Sequence, residues 1–411
     1  IMSNFAFGTY RISDLNPQHV EALKEALHCG ITMIDTSSNY MDGGAERAIA
    51  LAFSEFDESI KDEVEVVSKF GYIQDSSLES YKEDAAFRES AGEVVKYSAD
   101  CYHSISKSFL HNQLTLSLER LELDRIGCYL IHNPEYYLLD AIKGGIPKDE
   151  RLDEMYRRIE DAFVGLEEEV RDGRILSYGI SSNSFSLSES DDEFLPYEDL
   201  ITLAQNAAGI VGNSKHSFTT IELPINILEQ EGLKCASWAK ANGLRLLANR
   251  PLNAKYKNKM YRLAEYEESR DYYHHLNELL DICDTPELKS LYNLIEQLDD
   301  SKHKFGWIGN YDIFLFTQII PHIKKTLEAL DENSRDAMFN SIDLFLAEYK
   351  KMVAHECSRS TKTELGDFFK ECHTPMQECA IKFLMNSKNV DYILVGMRKP
   401  LYVNQILSLE R

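Results

Sequence analysis

The sequence contains no CxxC pair, no G-x-G-x-x-G fingerprint and no apolar run near the roughly 18 residues that a membrane span requires. Its eight cysteines, at 29, 101, 128, 235, 283, 357, 372 and 379, are scattered, and they read as reduced thiols rather than a disulfide framework. Basic residues are also scarce: 44 Lys and Arg stand against 68 Asp and Glu, a formal charge of −24. Phosphates would meet a repulsive field, so no nucleic-acid partner is expected. The longest basic cluster, 255–259, is short and interrupted. Ile1-Met2-Ser3-Asn4 lacks a basic region followed by an apolar stretch, so no signal peptide is read and a cytoplasmic protein without membrane attachment is expected. What the chain does have is apolar material, 44% of its 411 residues, enough for a large core.

That material comes in short runs alternating with helical patterns. Strands are expected at 5–10, 32–35, 64–69, 126–132, 175–181, 219–223 and 244–249. Between them, a helix starts at Pro17 and stops at Cys29-Gly30. Another presents Phe109, Leu110, Leu114, Leu118 and Leu121 on one face, and a third runs over 150–172. Strands separated by helical crossovers imply a parallel sheet. The alternation then stops from 255 to 371, where helices are expected at 285–298 (with Thr285 as N-cap), 313–330 and 334–356, and no strand. It resumes with a helix at 375–386, a strand at 392–396 and a last helix from Leu401. Seven strands plus one give an α/β fold, a (β/α)8 TIM barrel with a helical insertion between strand seven and its helix. The division is 1–254 for the first part of the barrel, 255–371 for the insertion and 372–411 for the rest.

Chemistry in such a barrel sits at the C-terminal tips of the strands. Strand two ends in Asp35 and continues to Tyr40, strand three ends in Lys69, and strand four ends in His132. A lysine closing an apolar strand has no packing use and needs a partner, which Asp35 can supply. A nearby ammonium favours the phenolate, so Tyr40 is expected with a lowered pKa and as a proton donor, with His132 orienting a carbonyl.

This set resembles the catalytic tetrad of the aldo-keto reductase superfamily. The resemblance is carried by Gly8-Thr9-Tyr10, by Gly30-Ile31-Thr32-Met33-Ile34-Asp35-Thr36-Ser37-Ser38-Asn39-Tyr40, and by Val66-Val67-Ser68-Lys69. Tyr129-Leu130-Ile131-His132-Asn133-Pro134, Gly179-Ile180-Ser181-Ser182-Asn183 and Ile393-Leu394-Val395-Gly396-Met397-Arg398 complete it in order. It implies an oxidoreductase that reduces an aldehyde or ketone, or oxidises the alcohol, with NADP (NADPH) expected ahead of NAD. Asp35, Tyr40, Lys69 and His132 would be catalytic, and Tyr10 and Asn133 would border a small-molecule substrate. Gly8, Thr9, Ser182, Asn183, Glu222, Asn249, Arg250, Pro251, Leu252, Gly396, Met397, Arg398 and Gln405 would contact the cofactor.

The sequence also departs from the family. Glu222 stands where a carboxamide-binding Gln is common, and Asn249 where an aromatic often stacks. Arg250 could pair with Glu222, with phosphates or with an anionic substrate. Arg398 is the candidate to hold a 2′-phosphate, and Lys69, Arg250 and Arg398 are expected to make the site a positive exception on an acidic protein. These departures leave a second reading open: a nucleotide-binding regulatory or accessory protein of little turnover, using the insertion to dock a partner. No metal site is expected, because His355, Cys357, Cys372, His373 and Cys379 lack paired ligand spacing.

Overall fold

Eight parallel strands close on themselves in chain order: β1 (Phe5–Gly8), β2 (Met33–Asp35), β3 (Glu65–Phe70), β4 (Ile126–His132), β5 (Ile175–Ser181), β6 (Phe218–Pro224), β7 (Arg245–Asn249) and β8 (Tyr392–Val395). The structure, a computed structural model, describes residues 4–328 and 330–410, so the expectations that touch residues 1–3 and 329 lie outside the described residues there. Closure comes from β8, which pairs with β1 through Phe5↔Ile393, Ala6↔Leu394 and Phe7↔Val395. This is the (β/α)8 TIM barrel expected from the alternation. No helix among the described residues is long and apolar enough to cross a membrane.

The barrel interior explains where polar groups can go. Ala6, Met33, Val67, Cys128, Leu130, Leu247 and Leu394 form one buried cluster. Side chains on one face of a strand recur every second residue. Stepping two residues up from Met33, Val67, Leu130 and Leu247 therefore reaches Asp35, Lys69, His132 and Asn249 on the same inward face. On the outward face of β3, Ser68 donates to Glu46 Oε1 at 2.6 Å, and Arg120 Nε donates to the other oxygen of Glu46 at 2.6 Å. The helix Gly44–Phe53 carries Glu46 and the helix Lys107–Leu121 carries Arg120, so both are fastened to the strand that holds Lys69. The helix Pro17–His28 starts as its proline implies, with Asn16 accepting from Gln18 N at 3.0 Å.

The chain divides into two compact units, one comprising the residues up to Pro251 and from Lys382 onward, the other Leu252–Ile381. The second has its own core, in which Tyr272, Leu291, Tyr311, Phe345 and Tyr349 are buried together. Its first element corrects the expectation of helix only. Asn253–Tyr256 and Lys259–Arg262 form an antiparallel hairpin, joined at Lys257 and Asn258, whose φ values are 47° and 62°. Two consecutive left-handed residues match the strand twist, and the asparagine was the visible signal. The basic cluster at 255–259 is thus a hairpin tip. Thr285 does not start its helix, which runs Lys289–Ser301. The 313–330 pattern resolves into Ile308–Phe314, a π-helical turn at Leu315–Ile319 and Ile320–Leu327. Pro321 has no N–H to continue the regular bond pattern there. Asp331 caps the long helix Glu332–Glu364. Cys372 and Cys379, expected as thiols, are joined as a disulfide with their Cα atoms 6.2 Å apart, while the other six cysteines form no disulfide. The intervening turn brings them within bridging reach.

One glycine is demanded by the sheet. The pairing of β5 with β6 shifts register between Tyr178 and Gly179, and a Cβ on Gly179 would overlap the Thr220 carbonyl oxygen and crowd Leu130 at 2.9 Å. Neither strand backbone can retreat without breaking the barrel. Gly179→Ala should therefore lower unfolding free energy by about 3 kcal/mol in urea titrations; an unchanged midpoint would show that the strands are not held this close.

Candidate active site

Lys69 is fully buried at the top of the barrel interior. A bare ammonium there would cost several kcal/mol, so its neighbours decide whether it is tolerated. Asp35 Oδ1 accepts from Lys69 Nζ, Thr36 O accepts at 3.0 Å, and Glu222 Oε2 lies 3.3 Å away. Burial works against the ammonium, but Asp35 and Glu222 outweigh it and hold its pKa above the ordinary lysine value. Asp35 is shifted upward, chiefly by burial and then by the charge of Glu222, with Lys69 opposing. The sequence had paired Lys69 with Asp35 alone; the second carboxylate comes from β6.

Tyr40 arrives on the loop after β2. Its ring centroid is 5.2 Å from Lys69 Nζ, 5.9 Å from the His132 ring and 5.2 Å from that of Tyr10, both edge-on. The residue is half-buried, yet its phenol faces Lys69, Asp35 and Glu222. Its pKa moves opposite to the expectation: burial raises it, Lys69 opposes, and the charges of Asp35 and Glu222 add to the rise. The phenol is therefore protonated in the free protein. His132 is held neutral by burial, by the Lys69 charge and by His103. His103 Nε2 donates to the His132 carbonyl at 2.7 Å. Ser37 Oγ lies 3.0 Å from His132 Nδ1.

Beside this group the loops after β4 and β5 are laced together. Asn133, in the left-handed region at φ 51°, donates from Nδ2 to Tyr72 Oη at 2.6 Å and accepts from Asn183 Nδ2 at 3.2 Å. Glu135, which sequence reasoning missed, organises the Ser182-Asn183 loop. Its Oε2 accepts from Ser182 Oγ at 2.8 Å and its Oε1 from Asn183 N at 2.9 Å. The available signal was an acid directly after the Asn133-Pro134 step. Burial lifts its pKa from 4.5 to about 7, against the hydrogen bonds that favour the charge.

The other expected residues divide into those near the four groups and those apart from them. Asn249 Nδ2 donates to Glu222 Oε1 at 2.8 Å, so these two join the Lys69 cluster. Arg250 does not meet Glu222: its Nη2 donates to Glu229 Oε1 at 2.7 Å, because a left-handed φ of 52° turns it off the strand path. Gly8 ends β1, Thr9 and Met397 are buried, and Tyr10 is 64% exposed at the rim. Pro251 closes the first unit and Leu252 opens the second. Gly396, Arg398 and Gln405 are exposed. The expected excess of positive charge is not realised around Lys69, whose one charge faces two carboxylates. In the second unit, His355 Nδ1 sits 2.7 Å from Tyr266 O. A different trio, His274, His275 and Glu278, brings three ligand atoms within 4.8 Å of one another.

Glu135 gives a pH signature. Its folded pKa of about 7 exceeds its starting value of 4.5, so the native state binds the extra proton between them and stability falls as pH rises through that window. Glu135→Gln should flatten this decline. Urea midpoints at pH 5 and pH 8 test it, and an equal slope in the variant would refute the assignment.

A family model described as the aldo/keto reductase family matches residues 4–410. No curated protein matches the chain in sequence. Among solved structures, the chain is similar to a glycerol dehydrogenase from Gluconobacter oxydans, with 15% identity over 99% of this chain and 86% of that one and a TM-score of 0.48. An aldo-keto reductase from Bacillus halodurans in its holo form shows 14% identity over 100% and 87%, with a TM-score of 0.47. An aldo/keto reductase from Klebsiella pneumoniae, in complex with NADP and acetate, shows 21% identity over 61% of this chain and 65% of that one, with a TM-score of 0.37. The match to the family model runs through every barrel strand and every tip that carries a polar group, and on that ground the chain belongs to the aldo/keto reductase family of oxidoreductases.

Proposed function

We propose that the protein is an NADPH-dependent carbonyl reductase, preferring NADP to NAD, that acts on an aldehyde or ketone or, in reverse, on the alcohol. One observation carries the reading: a fully buried ammonium, Lys69, is held by two carboxylates beside the ring of Tyr40. Packing alone has no use for it.

The residues present fit a polar dinucleotide. Among the described residues, buried Thr9 Oγ1, Asn249 Oδ1 and Arg250 Nε have no hydrogen-bond partner, and a side chain at Gly396 would meet only Gly8 O, at 3.9 Å. Gly8, Thr9, Ser182, Asn183 and Asn249 would hold the nicotinamide end, and Arg398 and Gln405 the far end. When bound, the cofactor supplies the hydride.

The chain's own groups then handle the proton. Tyr40 starts protonated, as its raised pKa requires, and gives its proton to the oxygen of the reduced carbonyl. Lys69 stabilises the phenolate left behind, and Asp35 and Glu222 keep the ammonium in place. His132, neutral, donates a hydrogen bond to the same oxygen. Alcohol oxidation has to start from the phenolate and so belongs to alkaline pH.

The test is binding of NADPH and NADH by intrinsic fluorescence, followed by loss of reduced-nicotinamide absorbance with a panel of aldehydes and quinones. Failure to bind either nucleotide sinks the reading; binding without turnover turns it toward a regulatory or accessory role. Where turnover occurs, Tyr40→Phe should lower kcat by about 10²- to 10⁴-fold with nucleotide affinity unchanged. A fully active variant would remove Tyr40 from the chemistry.

A further inference from the structure

The loop after β5 is braced by the loop after β4 at three points. Asn133 Oδ1 accepts from Asn183 Nδ2 at 3.2 Å, Glu135 Oε1 accepts from Asn183 N at 2.9 Å, and Glu135 Oε2 accepts from Ser182 Oγ at 2.8 Å. Glu135, Ser182 and Ser184 are buried, whereas Asn183 is exposed. The brace leaves Asn183 its Oδ1 and one Nδ2 proton uncommitted among the described residues. One acceptor and one donor side by side are the complement of a primary carboxamide.

Glu135 is the member of the brace that can change state. As a carboxylate it only accepts, and the groups aimed at it donate: the Ser182 hydroxyl and the backbone N–H groups of Glu135, Asn183 and Ser184. Once protonated it has to donate to one of them, and a backbone N–H cannot reverse its role. Only the Ser182 hydroxyl can, by accepting from Glu135 and turning its own proton away. The other neighbour of that oxygen is Ser184 N, at 3.1 Å, again a donor. The released proton thus finds no acceptor among the described residues, and a buried hydroxyl in that state is costly. The loop that carries Asn183 is paired when Glu135 is charged and under-paired when it is neutral.

We infer that Glu135 is a positioning residue that acts as a carboxylate, through Ser182, to hold Asn183 ready for the nicotinamide carboxamide. The inference rests on the carbonyl-reductase reading for the identity of the ligand. Burial places the change of state near neutrality, since the Glu135 carboxyl is lifted to about 7. The titratable groups that interact with it are the phenols of Tyr72, in the segment after β3, and of Tyr136, its chain neighbour. Both are pushed upward chiefly by burial, Tyr136 to about 12, so neither changes charge in this range. His103, stacked on Tyr136, is lowered to about 4 by burial and stays neutral there. Residues 182–184 of the facing loop carry no titratable side chain. Nucleotide affinity should therefore rise as pH rises through 7.

The experiment is calorimetric titration of the full chain with NADP⁺ between pH 5.5 and pH 8.5, alongside Glu135→Gln. The amide keeps an acceptor for the fixed N–H groups and puts an NH₂ against Ser182 Oγ, so the variant copies the protonated state at every pH. Wild-type affinity should be about 10-fold higher at the alkaline end, the low end of what a hydrogen bond to a charged group contributes. The two proteins should converge at pH 5.5 and part above pH 7, titration of the ligand's own 2′-phosphate being common to both. A role in shape alone would hold the ratio of the two affinities constant with pH, and that result overturns the inference. Ser182→Ala removes the relay while leaving Glu135 in place, and it should show the same pH dependence as Glu135→Gln; a wild-type profile in this variant also overturns the inference. A wild type that binds no NADP⁺ at any pH refutes the carbonyl-reductase reading itself, whereas binding with parallel profiles refutes the positioning role alone.

Discussion

Everything at the barrel mouth is organised around the desolvated ammonium of Lys69. Removing it from water is tolerable only because Asp35, Glu222 and the Thr36 carbonyl surround it. Those partners come from β2, from the residue after it and from β6, so the electrostatic requirement ties together strands from different parts of the barrel. The same requirement sets the state of the other groups. Burial beside the cluster keeps the phenol protonated, with the two carboxylates adding to it against Lys69, and burial together with the Lys69 charge opposes protonation of His132. Both potential proton carriers are thereby held neutral beside a charged cluster.

The barrel was legible because its signal is local and repeated. Each strand is a short apolar run with a polar tip, and the periods of strand and helix differ enough to separate them. Asp35, Lys69 and His132 could be read for the same reason: each lies two residues beyond an inward apolar position, where a polar residue is conspicuous. Tyr40 was legible only as part of that set, just beyond the tip of strand two and within reach of the lysine, since one loop tyrosine among 22 is not distinctive.

What escaped the sequence depends on contacts between distant segments or on the sum of opposing fields. The Glu222–Lys69 pair joins residues 153 apart, and Arg250 turns to Glu229 only because its backbone is left-handed. The direction of the Tyr40 shift could not be inferred from its lysine neighbour, because burial and two carboxylates act the other way. Glu135 looked like one acid among 68. The hairpin at 253–262 was hidden by a Lys-Asn turn less recognisable than Asn-Gly.

The order of the strands along the chain also governs how the barrel is assembled. β8 is supplied only after the 130 residues of Leu252–Ile381 have been made, yet it is the strand that joins β7 to β1. Until then a nascent chain carries seven strands with two open edges, at β1 and β7, whose hydrogen-bonding groups invite other partners. Closing the ring pairs Phe5 with Ile393, the kind of contact that forms slowly because so much chain must be brought into a loop. The four residues of β8, Tyr392–Val395, act as the clasp of the whole barrel.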